Sequence, residues 1–282
     1  MHAAVIGHVE WVDFLHVEQL PRPGDIVHAT PWWSGPGGGG SVAAIQLLKL
    51  AGDAVFFTAL GDDELGHRAH DELSAMGLRV EAVFRPEPMR RAITHIDSGG
   101  ERTITVLGPR LPPYGSDPLV WDELDEVDAV YFTAGDVPAL HHARRATVVV
   151  ATSRILPFLQ SAGVELDVLI GSAVDPSEAF GDGDLEPPPR LVVRTMGEEG
   201  GTFQVRGGSV VRYPAEPLPG PVADRYGAGD SFAAALAWAL AAGNAPDSAI
   251  ALAATCGAAV VTGRGPYEGQ LGDPGRERAR GF

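Results

Sequence analysis

Two glycines set directly before an apolar run limit the possible folds of this chain more than any other feature. The stretch is Asp224-Arg225-Tyr226-Gly227-Ala228-Gly229-Asp230, and Ser231-Phe232-Ala233-Ala234-Ala235-Leu236-Ala237-Trp238-Ala239-Leu240 follows it. The apolar run reads as a buried helix. Gly227 and Gly229 let the backbone turn tightly and come close to a ligand. A helix starting there leaves N–H groups unpaired and carries partial positive charge, which makes a site for an anion, most often a phosphate. Asp230 is odd at the mouth of such a site, because its carboxylate would repel the phosphate. A base facing a nucleophilic hydroxyl beside the phosphate would explain it. So would a first-turn acid that only favours the helix dipole.

Composition narrows the function classes. The 282 residues are 45% hydrophobic, ample for a packed core, and 36 Gly with 23 Pro suit a chain of many turns rather than a helical bundle. Lys plus Arg number 21 against 37 for Asp plus Glu, a formal charge of −16. Such a field repels nucleic acid and anionic membrane, so neither is an expected partner. An anionic ligand would need helix dipoles, a few cations or a metal to overcome it. Cys256 is the single cysteine, which excludes an intrachain disulfide framework and fits a reducing cytoplasm. No leader pattern and no run of eighteen apolar residues is apparent, so a cytoplasmic protein without membrane segments is expected.

Along the chain, Ala3–Gly7 reads as a first strand. Glu10 and Asp13 follow within an otherwise apolar run, facing either a polar ligand or the open side of a half-exposed strand. Asp25–Thr30 reads as an extended strand. Gly35-Pro36-Gly37-Gly38-Gly39-Gly40 precedes a helix over Val42–Leu50 with Ser41 as its N-cap. The spacing Gly35-x-Gly37-x-x-Gly40 matches a dinucleotide fingerprint, but no clean buried strand precedes it, and no Gly-Lys-Ser/Thr follows for a Walker A loop. Ala54–Leu60 is a buried strand, followed by a helix over Glu64–Met76 on which Glu64, His67 and His70 read as a solvated face rather than a metal site. Val80–Phe84 is another strand, and Ala92–Asp97 with Arg102–Val106 form a hairpin. Strands at Ala129–Thr133, Ala146–Ala151, Val168–Gly171 and Leu191–Met196 alternate with helical patterns, which predicts a doubly wound, largely parallel α/β sheet. A late hairpin (Thr202–Val205, Ser209–Tyr213) and two helices (Gly229–Ala241, Pro246–Val261) close the fold, and a frayed end is expected from Gly272.

Five elements in this order resemble the ribokinase (PfkB-type) family of carbohydrate kinases over almost the whole chain. Asp224–Asp230 is similar to the family's Asp-Thr-x-Gly-Ala-Gly-Asp motif. Gly37 through Gly40 to Ala44 resembles its Gly-Gly element, and Gly61-Asp62-Asp63-Glu64-Leu65-Gly66 its Gly-x-Asp-x-x-Gly turn. Asp175-Pro176-Ser177-Glu178 resembles Asn-x-x-Glu. Thr195-Met196-Gly197-Glu198-Glu199-Gly200 resembles Thr-x-Gly-x-x-Gly.

The resemblance implies one ribokinase-like α/β domain over residues 1–282, with a small β lid formed by excursions at about 14–34 and 91–106. It implies transfer of the ATP γ-phosphate to a hydroxyl of a sugar or nucleoside. Asp230 would be the base, and the N–H groups of Gly227, Ala228 and Gly229 the anion hole. Glu178 and Asp175 would organise Mg2+. Thr195, Gly197, Gly200, Asp224 and Arg225 would lie at the nucleotide. Asp13, with Glu10 as the alternative, and Gly38, Gly39, Val42 and Trp33 would line the sugar.

Three departures from the family pattern bear on specificity. Arg225 replaces a Thr, and either contacts a phosphate or is merely exposed; activation by K+ is open for the same reason. Asp175 replaces an Asn. Val42 replaces an Asn, so this corner should favour a less polar part of the substrate. Trp32 and Trp33 suit either stacking on a ligand or lid packing. Phosphorylated sugars are disfavoured by the acidic composition, although Arg90, Arg91 and Arg102 could supply some positive charge. Pairing of two exposed lid edges would give a homodimer. Two other classes stay open. One is a ribokinase-fold binding or regulatory protein, prompted by the substitutions, and the other is an oxidoreductase, prompted by Gly35–Gly40 alone.

Overall fold

The computed structural model describes residues 1–273, built on two sheets. The large sheet holds β1 (Ala3–Ile6), β4 (Ala54–Gly61), β5 (Arg79–Arg85), β8 (Ala129–Phe132), β9 (Val148–Thr152), β10 (Val168–Ser172), β11 (Leu191–Thr195), β12 (Gly201–Val205) and β13 (Val211–Tyr213). Their order is β13-β12-β11-β10-β9-β8-β1-β4-β5, parallel from β5 to β11 and antiparallel only for β12 and β13. The small sheet holds β2 (Glu10–His16), β3 (Trp32–Gly37), β6 (Arg91–Ile96) and β7 (Arg102–Leu107) in the order β3-β2-β6-β7.

Central strands are apolar on both faces because both are covered. In β1 and β4, Ala3, Val5 and Phe56 face a core shared with α1 (Gly39–Ala51), α2 (Glu64–Ala75), α5 (Ala228–Ala241) and α6 (Pro246–Val260). Ala4, Ile6, Val55 and Phe57 face a second core with α3 (Val137–Ala143) and α4 (Leu156–Ala162). That double coverage is why these strands read as unbroken apolar runs rather than alternations. The apolar run after Gly229 is α5, whose Phe232 through Ala237 are all buried. A short α7 (Gly265–Glu268) follows α6.

The chain crosses between the sheets four times: at residues 7–9, at Gly38, at 86–90 and from Gly108 onward. The third crossing is tied down by Asp63. Its carboxylate caps α2 by accepting from the Gly66 N–H at 2.9 Å, and it accepts from the Met89 N–H at 2.9 Å. A Cβ on Gly66 would lie 1.9 Å from the Gly61 carbonyl oxygen, so the Gly-x-Asp-x-x-Gly spacing is a packing requirement.

Several local expectations need correction. Asp25–Thr30 is loop, not strand, and lies largely exposed between β2 and β3. The helix expected from Val42 starts three residues earlier, with Gly38 rather than Ser41 at its N-cap. The Ser41 hydroxyl instead donates to the Gly37 carbonyl at 2.7 Å. The expected fraying from Gly272 falls mostly outside the described residues. The solvated face expected at Glu64 and His67 needs no correction: both are exposed, and His67 pairs with Asp62 and stacks on Phe84. Among those residues no helix is long and apolar enough to cross a membrane.

Replacing Asp63 with Ala removes the α2 cap and orphans the Met89 N–H. Urea unfolding should show a loss of about 2–3 kcal/mol.

Candidate active site

Two helix starts meet at one point. Gly38 at the N-cap of α1 has φ of 89° and Gly227 at the N-cap of α5 has φ of 85°, a backbone region that favours glycine. Neither start has a side-chain cap. The first intrahelical bond at Gly227 comes from the Ser231 N–H, so the N–H groups of Ala228, Gly229 and Asp230 precede it, and Gly229 faces open space. A Cβ on Gly39 would lie 2.7 Å from Asp230 Oδ1, and one on Gly227 2.8 Å from Val42 Cγ1. Both glycines are therefore needed to bring the helix starts into contact.

Asp230 is crowded by protein on all sides, although solvent still reaches part of it. That burial, reinforced by the nearby Glu178 charge, pushes its carboxyl up to about 6, against the opposing pull of Arg154 and Arg102. The buried Tyr131 hydroxyl donates to Oδ1 over a long 3.4 Å. Burial holds Tyr131 well above the usual phenol range, so it stays a neutral donor.

Glu178 and Asp175 share one guanidinium. Arg154 lies 2.8 Å from Asp175 Oδ2 and also bonds Glu178. The other Glu178 oxygen accepts from the Ser172 N–H at 2.7 Å, at the C-terminal end of β10. Asp175 is held below the usual carboxylate range, first by the Ser177 hydroxyl and N–H and then by Arg154.

On the small-sheet side, β2 alternates. Glu10, Val12 and Phe14 lie on one face, with Val12 and Phe14 packed against Val42 and Tyr226. Glu10 sits against Gly38, where a Cβ would meet its Cγ at 3.2 Å, and Arg90 Nε lies 2.7 Å from its Oε1. Asp13 is on the opposite face and pairs with Arg91 at 2.9 Å, so of the two early acids only Glu10 adjoins the glycines. Val42 is fully buried within that apolar cluster. Trp33 stacks on Phe14 with centroids 5.1 Å apart and carries Arg264 over its ring at 4.1 Å, whereas Trp32 is exposed.

Thr195 ends β11, and the loop after it closes through a Met196 N–H to Gly200 carbonyl bond of 2.8 Å. A Cβ on Gly200 would lie 2.2 Å from the Tyr213 carbonyl oxygen. Asp224 is buried and accepts from the Tyr226 N–H at 2.8 Å. Arg225 is an ion-pair bridge: Nη2 reaches Glu198 in the Thr195–Gly200 loop at 2.5 Å, and Nε reaches Glu101 at the β6–β7 turn at 2.8 Å.

Sequence reasoning passed over four residues here: Tyr131, Arg154, His8 and Tyr226. Tyr226 accepts from the Gly38 N–H at 2.8 Å, joining the two glycine motifs directly. Tyr131 and Arg154 lie on or just past strands of the parallel sheet, near the C-terminal ends where such sheets place ligands, and that position was the available signal.

The pattern of the pfkB family carbohydrate kinases matches residues 2–170 and 184–271. The unmatched interval contains Asp175 and Glu178. A fructokinase of Klebsiella pneumoniae is 29% identical over 283 residues, covering 84% of this chain and 90% of that protein. A ribokinase of Bacillus subtilis is 25% identical, covering 88% and 89%. Among solved structures, Arabidopsis thaliana ribokinase complexed with ribose and ATP superposes with a TM-score of 0.75 at 20% identity, over 99% of this chain and 98% of that one. Adenosine kinase from Sinorhizobium meliloti gives 0.77 at 20% identity, over 98% of both.

The raised Asp230 carboxyl has a stability consequence. Between the ordinary carboxyl value and about 6 the folded state binds the extra proton, so this group costs stability as pH rises through 6. Asp230→Asn should therefore raise stability at pH 8 by about 1–2 kcal/mol, a figure discounted for partial solvent access, and the gain should shrink toward pH 4; thermal melts at both pH values measure it.

Proposed function

The chain belongs to the pfkB family carbohydrate kinases, and on that premise we propose that it transfers the ATP γ-phosphate to a hydroxyl of a sugar or sugar-like acceptor with Asp230 as base. The observation that carries this is a carboxylate with a raised pKa set between two uncapped helix starts. An aspartate that served only the helix dipole would have no need of the Gly39 contact.

In the proposed reaction, Asp230 takes the proton from the acceptor hydroxyl as its oxygen attacks phosphorus, and the bond to the leaving ADP oxygen breaks in line. The N–H groups of Gly227, Ala228 and Gly229 face the moving phosphoryl oxygens and stabilise charge there without reorganising. Thr195, Gly197, Gly200, Asp224 and Arg225 border the nucleotide. Gly38, Gly39, Glu10 and Val42 border the acceptor, and the small sheet serves as a lid over it. ATP and a sugar are supported by the Arabidopsis ribokinase complex and by the names of the curated relatives.

Glu178 and Asp175 fit Mg2+ in donor chemistry: their oxygens are hard donors, and the pair carries one more negative charge than the Arg154 guanidinium they share can answer. When bound, Mg2+ would neutralise charge on the phosphates. The buried second oxygen of Asp224, which lacks a formed hydrogen bond, is the group a monovalent cation such as K+ would engage. The lone buried thiol of Cys256 supports a cytoplasmic setting.

The test is product formation from ATP, Mg2+ and a panel of sugars and nucleosides. Wild type should phosphorylate at least one acceptor, with kcat/KM falling below pH about 6 as Asp230 gains its proton. Asp230→Asn should lose about 10²–10⁴ in kcat. Full turnover in the variant would sink the base assignment.

A homodimer through the lid is supported by β7, an edge strand exposed along its length that presents Ile104, Val106 and Leu107. Light scattering should give a dimer for the wild type and a monomer for Val106→Lys; a monomeric wild type disproves the pairing.

A further inference from the structure

The four crossings between the sheets bring polar groups to one place. His8 and Glu10 come from the first crossing and its flank, Gly38 and Gly39 from the second, Arg90 from the third and Arg110 from the fourth. The double glycine links them to the base: Gly38 lies against His8 and Glu10, and Gly39 against Asp230.

The ion pairs here leave one cation without a contact partner. Arg90 is largely buried and spends its charge on Glu10, whose side chain is 9% exposed. His8 lies 3.5 Å from the same Glu10 oxygen. Burial holds the imidazole below its ordinary value, so it is neutral at pH 7, and its Nδ1 is buried without a partner. One carboxylate thus answers Arg90 alone. Arg154 is answered by Asp175 and Glu178. Arg110 touches no anion: Glu10 and Asp230 favour its charge only from a distance, the described residues give it neither ion pair nor hydrogen bond, and its Nε is shut off from solvent. Its guanidinium is partly buried between the small sheet and the base, close enough to feel Glu10, Arg90, Arg154 and Asp230, and burial together with the Arg90 charge works against its protonated form. A guanidinium whose Nε is buried and unbonded, with terminal nitrogens still open to solvent, gains a partner when a ligand brings an anion.

Building on the kinase function proposed above, we propose that the acceptor itself carries an anionic group, a carboxylate or a phosphate ester, and that Arg110 binds it. A neutral sugar would be held by Glu10, the glycine backbone and His8, and would leave Arg110 without an ion pair. The net charge of −16 adds weight, since the overall field repels an anionic acceptor and only a dedicated local cation would retain it. The composition by itself argued against phosphorylated sugars; the placement of Arg110 reverses that expectation.

The test is equilibrium binding to the full chain, by calorimetry, of compounds paired by charge: D-gluconate against D-glucitol for the carboxylate, and D-fructose 1-phosphate and 6-phosphate against D-fructose for the phosphate ester. ATP affinity is measured separately. At least one charged member should bind tenfold to a hundredfold tighter than its neutral partner, the range for one charge-assisted bond. The member that does so identifies the anion. Arg110→Gln should erase that difference and leave ATP affinity within threefold, and Arg110→Lys should restore part of it. Equal or tighter binding of every neutral member overturns the inference. So does an Arg110→Gln variant that loses ATP affinity and keeps the discrimination, because Arg110 would then serve the nucleotide. Absence of phosphorylated product despite charge-selective binding would count against the kinase function alone.

Discussion

The contact between the Gly39 backbone and the Asp230 carboxylate is the constraint on which the rest of the structure depends. It requires two helices from distant parts of the chain, α1 and α5, to start at one point. Only glycine fits at the joint, and the large sheet carries the two apolar helices side by side in one core. The joint places a carboxylate among partial positive charges while burying it enough to raise its pKa. At neutral pH the buried carboxylate costs stability, and the buried strands and helices on either side compensate.

Around that joint, local charge departs from global charge. The chain is strongly acidic, yet Arg90, Arg102, Arg110 and Arg154 all come near the double glycine or Asp230. They arrive from different elements: two from sheet crossings, one from a hairpin strand, one from the end of β9. No linear stretch of sequence shows them as a basic patch. The net charge of −16 therefore does not describe the surroundings of Asp230, where these arginines stand among Glu10, Asp175 and Glu178.

How legible all this was depended on how local each determinant is. The strands of the parallel sheet, helix α5 and the β6–β7 hairpin follow from periodicity and turn residues, and they stand within a residue or two of their expected places. Gly227 and Asp230 were legible because their spacing is itself the mechanism of the turn. The face of β2 was not legible: Glu10 and Asp13 are both acids in one apolar run, and only the packing of Val12 and Phe14 on Val42 and Tyr226 shows which side faces the glycines. Asp25–Thr30 has strand-like residues but no neighbouring strand to pair with, and pairing rather than propensity decides. Arg154 and Arg110 carry no local signal, because their meaning lies in partners far away along the chain. Arg225 was ambiguous for the same reason.

The Arg225 bridge joins two regions that the chain otherwise keeps apart, the turn of the small sheet at Glu101 and the loop after β11 at Glu198, through a residue two positions before Gly227. On the proposed function, one region senses the acceptor and the other the nucleotide. Any ligand that shifts either loop changes the free energy of the shared guanidinium, and so of the other loop. Such coupling is reciprocal: if nucleotide tightens the hold on the acceptor, the acceptor tightens the hold on nucleotide by the same factor. The residue that departs from the family motif would then set how strongly the two substrates cooperate, and the chemical step need not involve it at all.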